Sequence, residues 1–420
     1  MIGNLTLIAS IIITVILFLF AKLNTTTPIA LWTFLAQLTG LLGSILISWN
    51  YLLATRFTIF EKTFDGLDRV YKIHNLIGNL SFIILINHPI FLIISNLPFN
   101  STKLYLIPNL SNLPYALGIL SLYSLIIFVS LTIFIDLPYK IWKKTHEAIG
   151  LVIILGAIHG LLINSDISVY PPLKIWIIGF NIIAIIAYFY KRYLYYLIQP
   201  NSNYIIKEIL HQRNYLLISL FPKDNNKIIK FNPGQFAFFS VKNDSRDEHP
   251  FSILDQQNNQ IKIGTKVIGN FTLLLSSLKE GSEITVRGPY GSFANNISKH
   301  NKMVWISGGI GITPFFEMVK ALKDDQEVVM IHTAHSSEPR IFSDMYKDLQ
   351  LSKPNFKFHL HLSDVEGRID DRNIKRYTSL DGDTYIYICG PSQMMESLSR
   401  NLPNNGVKRK RIIFEDFKFK

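Results

Sequence analysis

The sequence predicts a membrane α-helical bundle of six spans followed by an α+β soluble region, an antiparallel β-barrel leading into an α/β domain with a parallel sheet. Three observations predict it. The first 200 of the 420 residues hold six apolar stretches of membrane-crossing length. Between residues 204 and 287, short alternating strands are punctuated by turn residues, the rhythm of a small barrel. After residue 300, buried-strand patterns alternate with amphipathic helices, as in open parallel sheets. The expected division is 1–199, 200–299 and 300–420, with residues 200–203 as a linker.

The spans are expected at about 4–22, 29–55, 73–97, 114–137, 146–164 and 172–198. The first lacks a basic leader and a small-residue cleavage site, so it reads as a retained span rather than a signal peptide. Loop charge sets the orientation. Arg56, Lys62, Arg69 and Lys72, then Lys140, Lys143 and Lys144, then Lys191 and Arg192 follow the even-numbered spans, whereas the opposite loops hold only Lys22, Lys103 and Lys174. By the positive-inside rule both termini and the soluble half face the cytoplasm across the cell (inner) membrane. Many of the basic residues flank apolar spans, where membrane topology already explains them, so the net charge of +12 makes no case for a nucleic-acid partner. No obligatory protein partner is evident. The single cysteine, Cys389, excludes a disulfide framework and a multi-cysteine metal site.

Only four histidines occur in the first 200 residues, and all lie in or at the edge of apolar spans: His74 and His88 in the third, His146 and His159 in the fifth. Both spans are odd-numbered and run the same way, which sets His74 level with His146 and His88 level with His159. Each spacing is roughly 20 Å along a helix axis, so two haems stacked across a bilayer would each receive two imidazoles. Buried ionisable groups in a membrane are costly and usually functional. Gly78, Gly150 and Gly156, beside the histidines, would let a flat porphyrin approach. Arg56 and Arg69 are candidates for haem propionates. One mismatch stands out: thirteen residues of ideal helix turn His146 and His159 about 140° apart, so span five must be overwound, underwound or frayed.

In the soluble half, strands are expected at Tyr204–Leu210, Tyr215–Phe221, Gln235–Val241, Gln260–Val267 and Glu283–Arg287. Four more, at Lys302–Ser307, Glu327–Thr333, Phe356–Leu362 and Thr384–Cys389, should form the parallel sheet. Gly308-Gly309-Ile310-Gly311-Ile312-Thr313-Pro314 follows the first of these. Glycines there admit a pyrophosphate to the backbone, and the next helix offers free N–H groups, with Pro314 in its first turn. Cys389-Gly390-Pro391 ends the fourth strand, at the edge where such sheets bind ligands.

His249-Pro250-Phe251-Ser252, preceded by Pro233-Gly234-Gln235-Phe236, resembles the flavin-binding motif of the ferredoxin–NADP reductase superfamily, in the version found in NADPH oxidases and ferric reductases. The segment from Lys266 to Thr272 is similar to the one that holds the flavin pyrophosphate there. Gly66 to Tyr71 leading into His74, with the histidine spacings, looks like the ferric-reductase transmembrane domain of the same enzymes. The likeness spans almost the whole chain, without a calcium-binding or other regulatory extension, and is greatest to compact bacterial NADPH oxidases.

The resemblance implies FAD, two b-type haems and NADPH or NADH. Phe251 and Ser252 would meet the flavin ring, His249 with Pro250 would lie towards the phosphates, and Lys266, Gly269 and Thr272 would cradle the pyrophosphate. Gly308, Gly309, Gly311, Thr313 and Pro314, with Cys389, Gly390 and Pro391, would hold the nicotinamide nucleotide, Cys389 near its ring. Phe417, or else Phe419, would stack on the flavin, and Phe414 suits a tail strand. Gly288 to Gly291 would shape the flavin–nucleotide junction. No arginine follows the second sheet strand directly, so a 2′-phosphate clamp falls to Arg340 or Arg368. The expected activity is transmembrane oxidation of NAD(P)H with O2 as acceptor, giving superoxide. The alternatives are a ferric-chelate reductase with the same path and a non-enzymatic haem-binding anchor or sensor.

Overall fold

The computed structural model describes residues 2–23, 30–97, 103–164, 170–241 and 247–416, which fall into two compact units, Met1–Ile198 and Gln199–Lys420. Six helical segments of the first unit are long and apolar enough to cross a membrane: Ile2–Leu23, Leu31–Leu53, Leu67–Ser95, Leu110–Ile133, Tyr139–Leu162 and Pro171–Ile198. Interhelical hydrogen bonds hold the first, second and sixth together, the kind of bond that binds helices where lipid removes the hydrophobic drive. Trp49 Nε1 donates to Ser10 Oγ (2.8 Å), Trp176 Nε1 to Thr14 Oγ1 (2.9 Å), and Ser44 Oγ to Asn181 Oδ1 (2.9 Å).

Span three starts at Leu67, six residues before the expected position, so His74 lies two turns inside the helix. Span five is interrupted. One helix ends at Glu147, a second starts at Gly150, and the join is closed by short rings: Ile149 N–H to the His146 carbonyl (3.1 Å), Leu151 to Ala148 (3.0 Å) and Val152 to Ile149 (2.8 Å). Such rings overwind the chain by about 20° per residue relative to an α-helix. This turns His146 towards the face that carries His159, by roughly 60° of the 140° that the thirteen-residue spacing leaves open. Tyr51 Oη donates to the Ile149 carbonyl at the break (2.7 Å). A five-residue π-helical stretch does occur, but in span six, at Tyr190–Leu194.

The second unit begins with a closed barrel in the order β1-β2-β5-β4-β3-β6: β1 Asn201–Gln212, β2 Tyr215–Pro222, β3 Phe236–Val241, β4 His249–Gln257, β5 Gln260–Lys266 and β6 Glu283–Tyr290. The strand β4 is an addition to the sequence reading. It opens with the His-Pro-Phe-Ser motif, in which Pro250 lacks an N–H for the ladder. Then comes an all-parallel sheet ordered β11-β10-β7-β8-β9, built from β7 Lys302–Gly308, β8 Glu327–Ala334, β9 Phe356–Leu362, β10 Tyr385–Cys389 and β11 Ile412–Glu415. Barrel and sheet share one apolar core, in which Tyr215, Leu217 and Leu254 of the barrel pack with Trp305, Phe315 and Phe342.

Candidate functional sites

The four membrane histidines meet in two pairs. The rings of His74 and His146 have their centroids 6.0 Å apart, and those of His88 and His159 are 6.5 Å apart, with interplanar angles of 64° and 65°. A metal about 2 Å from each of two imidazole nitrogens, with about 1 Å more from nitrogen to ring centre, calls for roughly 6 Å between centroids. Both gaps match that sandwich. Among the described residues no three His, Cys, Asp or Glu side chains gather. Pairs suit a porphyrin, whose own nitrogens fill the other positions.

Hydrogen bonds fix which nitrogen faces inward. His88 Nδ1 bonds to the carbonyl of Ala36 (2.7 Å), His159 Nδ1 to that of Pro114 (2.7 Å), and His74 Nδ1 to that of Asn50 (3.1 Å). A carbonyl only accepts, so Nδ1 carries the proton and Nε2 presents its lone pair, the tautomer a metal requires. The two outer anchors share a device. A glycine, Gly40 or Gly118, stands four residues beyond the accepting carbonyl, and a methyl there would lie 3.0 Å from His88 Nδ1 or 2.8 Å from His159 Nδ1. These glycines let each imidazole reach a carbonyl already engaged in its own helix. The sequence reading missed both.

Of the glycines it chose, Gly156 lines the cavity beside the outer pair, while Gly78 and Gly150 face protein side chains. Gly78 makes room for the Asn50 side chain, Gly150 for the Tyr188 ring, and Gly156 faces Ser121 Oγ (3.3 Å). Arg56 and Arg69 also have protein partners: Arg56 Nε donates to Tyr71 Oη (2.7 Å), and Arg69 pairs with Asp65 (3.2 Å). A cavity of about 470 Å³ adjoins the outer pair, lined by His88 and His159, by Gly40 and Gly118, and by polar uncharged groups that include Gln37 and Asn181. No Lys, Arg, Asp or Glu is among its described lining residues.

In the barrel, β3 and β4 set the two flavin motifs side by side. Phe236 pairs with Ser252, Ala237 with Phe251, Phe238 with Pro250 and Phe239 with His249. The His249 ring stacks on Phe271 (centroids 4.0 Å, 21°), and its Nε2 meets Asp247 Oδ1 (2.9 Å). Gly269 caps the helix Asn270–Ser277, where Thr272 Oγ1 accepts from the N–H groups of Ile268 and Gly269 (both 3.0 Å). A methyl at Gly269 would meet nothing within 4 Å, so open space lies before this helix start, where an anion is favoured. Lys266 pairs with Glu338 Oε1 at 3.1 Å.

The sheet order places β7 beside β10, with β8 and β9 on one side and β11 on the other. This is the topological switch point where such sheets bind ligands. Both predicted nucleotide segments lie there and interlock. A methyl on Gly311 would collide with the Cys389 carbonyl, one on Gly308 would stand 2.8 Å from Pro391 Cδ, and one on Gly390 2.9 Å from the Gly308 nitrogen. Gly309 takes φ +52°. Thr313 is buried, its hydroxyl donating to the Ile310 carbonyl (3.0 Å), and Pro314 caps a helix of only six residues, Phe315–Lys320. Cys389 is buried, and burial raises its thiol pKa, so it stays protonated at neutral pH. Its β11 partner is Glu415, close to Gly291 of the barrel (3.4 Å from the Gly291 methyl position to Glu415 Oε1). The Gly288–Gly291 turn therefore touches the end of the sheet. Phe414 pairs with Ile388 in β11, while Phe417 and Phe419 lie outside the described residues. Arg340 and Arg368 are exposed, in the connections after β8 and β9.

Three family descriptions match successive segments of the chain. Residues 39–157 match the family described as ferric reductase like transmembrane component, 206–294 an FAD-binding domain, and 305–400 an oxidoreductase NAD-binding domain. The chain is a ferric reductase-like membrane component fused to an FAD- and NAD-binding oxidoreductase module. The chain is similar to a flavohemoprotein of Rhizobium meliloti, 30% identical over 224 residues, covering 47% of the chain and 55% of the relative. It is similar also to a flavohemoprotein of Oceanobacillus iheyensis, 27% identical over 240 residues, 51% of the chain and 58% of the relative. The fusion thus matches about half the length of these curated relatives. The flavohemoglobin of Malassezia yamatoensis superposes with a TM-score of 0.53 at 15% identity, covering 91% of this chain and 96% of that one, a likeness of fold alone.

Proposed function

We propose that this integral membrane protein carries electrons from cytoplasmic NAD(P)H to an acceptor on the far side of the cell membrane, with O2 as the acceptor and superoxide as the product. The observation that carries the reading is the pair of imidazole sandwiches, each with a centroid gap suited to one haem iron and three of the four rings held in the ligating tautomer. The proposed parts are a haem domain over 1–199, a flavin barrel over 200–299 and a nucleotide domain over 300–420, with the loop lysines and arginines holding the soluble half inside.

When bound, FAD supplies the step from two-electron hydride to single electrons, and the haems supply conduction. The chain's own residues bind and orient. His74 with His146 would hold the inner haem, and His88 with His159 the outer one. Phe251 and Ser252 of β4 would meet the flavin, with the helix start at Gly269 and Thr272 receiving its pyrophosphate. Lys266 would leave Glu338 to join it. Gly308 to Pro314 and Cys389 to Pro391 would seat the nicotinamide nucleotide at the switch point, with Phe417 closing over the flavin. With His88 and His159 both engaged in holding the outer haem, that group would supply electron transfer to an acceptor arriving from the far side. The cavity of about 470 Å³ lined by His88 and His159, with no charged side chain among its described lining residues, is where the outer haem would sit.

The membrane-family match favours ferric-chelate reduction by the same path as the second reading. Steady-state assays of purified protein separate the two. Superoxide-dismutase-sensitive dye reduction that exceeds ferric-citrate reduction, with NADPH and NADH tried in turn, supports the oxidase. Ferric-citrate reduction that survives dismutase and exclusion of oxygen, without superoxide under air, supports the reductase.

A further inference from the structure

The two histidine pairs are built differently. Three imidazoles give Nδ1–H to a carbonyl of a neighbouring helix, whereas Nδ1 of His146 is buried without a hydrogen-bond partner. The cause is local. His146 sits at the end of the helix Tyr139–Glu147, where the break at Ala148 and Ile149 follows directly. What lies against the ring instead is Trp142, one turn earlier, with centroids 5.1 Å apart and planes only 9° from parallel. Tyr139 continues the stack, 5.9 Å from Trp142 at 21°. Residues three and four apart share a helix face, so this ladder belongs to one short helix.

We propose that Trp142 is a positioning residue for the inner haem, holding the plane of His146 by stacking where no carbonyl holds it by a hydrogen bond. This rests on the reading above that His74 and His146 ligate a haem. Two consequences follow. An imidazole that gives its second proton to an acceptor is a more basic ligand. Nδ1 of His146 meets no acceptor, so it is the weakest donor of the four, and the face of its ring is held by the indole alone. The indole also sets the angle between the His74 and His146 planes, to which the electron paramagnetic resonance spectrum of a low-spin ferric haem responds.

The test is an anaerobic redox titration with low-temperature resonance spectra on full-length protein carrying its haems, for wild type, Trp142→Leu and Trp142→Phe. His74→Ala identifies the inner component by its loss. The wild type must show two bis-imidazole components; if it does not, the underlying reading fails and the proposal goes with it. In Trp142→Leu the inner signal and the inner midpoint should both shift as the His146 plane is released, with the outer component unchanged. Trp142→Phe, which keeps a stacking ring, should stay close to wild type. Loss of the inner haem from Trp142→Leu with retention in Trp142→Phe supports the same conclusion. An inner signal and midpoint unaltered in Trp142→Leu, equal shifts of both components, or failure of Trp142→Phe to rescue would each overturn it.

Discussion

A methyl group on Gly118 would stand 2.8 Å from Nδ1 of His159, the nitrogen that bonds to the Pro114 carbonyl. Space at one residue therefore sets the hydrogen bond of another. Gly118→Ala should push the ring off its carbonyl and weaken outer haem binding by about 10–100-fold, the usual cost of losing such support. Haem-to-protein ratios of purified variants check this. Gly40→Ala, where the methyl meets His88 Nδ1 at 3.0 Å, should have a milder effect in the same direction. A full haem complement with wild-type retention in Gly118→Ala would remove the glycine from the account.

At the sheet, Gly311→Ala sets a methyl against the Cys389 carbonyl, which is backbone and cannot swing aside. We expect a loss of about 1–3 kcal/mol in stability and slowed bleaching of bound flavin by NAD(P)H, with flavin content retained because the flavin cradle lies in the barrel. Stopped-flow absorbance under argon measures the rate. Flavin loss with normal bleaching of the remainder would place the glycine turn elsewhere in the pathway.

His332 gives a pH signature. It is buried at the end of β8 with Nδ1 2.9 Å from Ser307 Oγ, and burial lowers its pKa from 6.5 to about 4. The unfolded chain therefore binds this proton first as pH falls. The contribution is whole above about 6.5, is lost progressively between 6.5 and 4, and amounts to at most on the order of 3 kcal/mol. Thermal unfolding of the full chain in detergent should lose stability from pH 7 to 5, less so in His332→Gln. Parallel pH curves for the two proteins would refute the assignment.

For nucleotide choice, Arg340→Ala and Arg368→Ala are informative because both side chains are exposed on connections after neighbouring strands. An arginine that clamps a 2′-phosphate contributes about 1.5–3 kcal/mol through charged hydrogen bonds. Its loss should raise KM for NADPH at least about tenfold and leave KM for NADH unchanged. Equal KM values for the two nucleotides in wild type and in both variants would mean that neither arginine reads the phosphate.

Much of this architecture is legible in the sequence because apolar length and charge asymmetry are coarse signals that tertiary detail does not overturn. The six spans and the four expected sheet strands are of this kind. The pairing of His74 with His146 needs only that odd spans run the same way. The break after Glu147 is different. No proline marks it, and Ala148 and Ile149 both keep right-handed helical backbone angles, so only the odd thirteen-residue spacing betrays it. The strand β4 has a proline as its second residue, one that cannot donate to a ladder, and Pro250 nevertheless stands in register opposite Phe238. Gly40 and Gly118 were missed because their meaning depends on a carbonyl four residues earlier and a histidine on another helix. Those relations exist only once helices pack.

The most direct test is the haem content of His74→Ala, His88→Ala, His146→Ala and His159→Ala, read with anaerobic NADPH reduction of the flavin and of whatever haem remains. Each variant should lose about half the haem absorbance of wild type. Those at His88 and His159 should still reduce the inner haem, and all four should lose activity towards the external acceptor. Wild-type haem content and external activity in any of the four would contradict the arrangement of two haems in series.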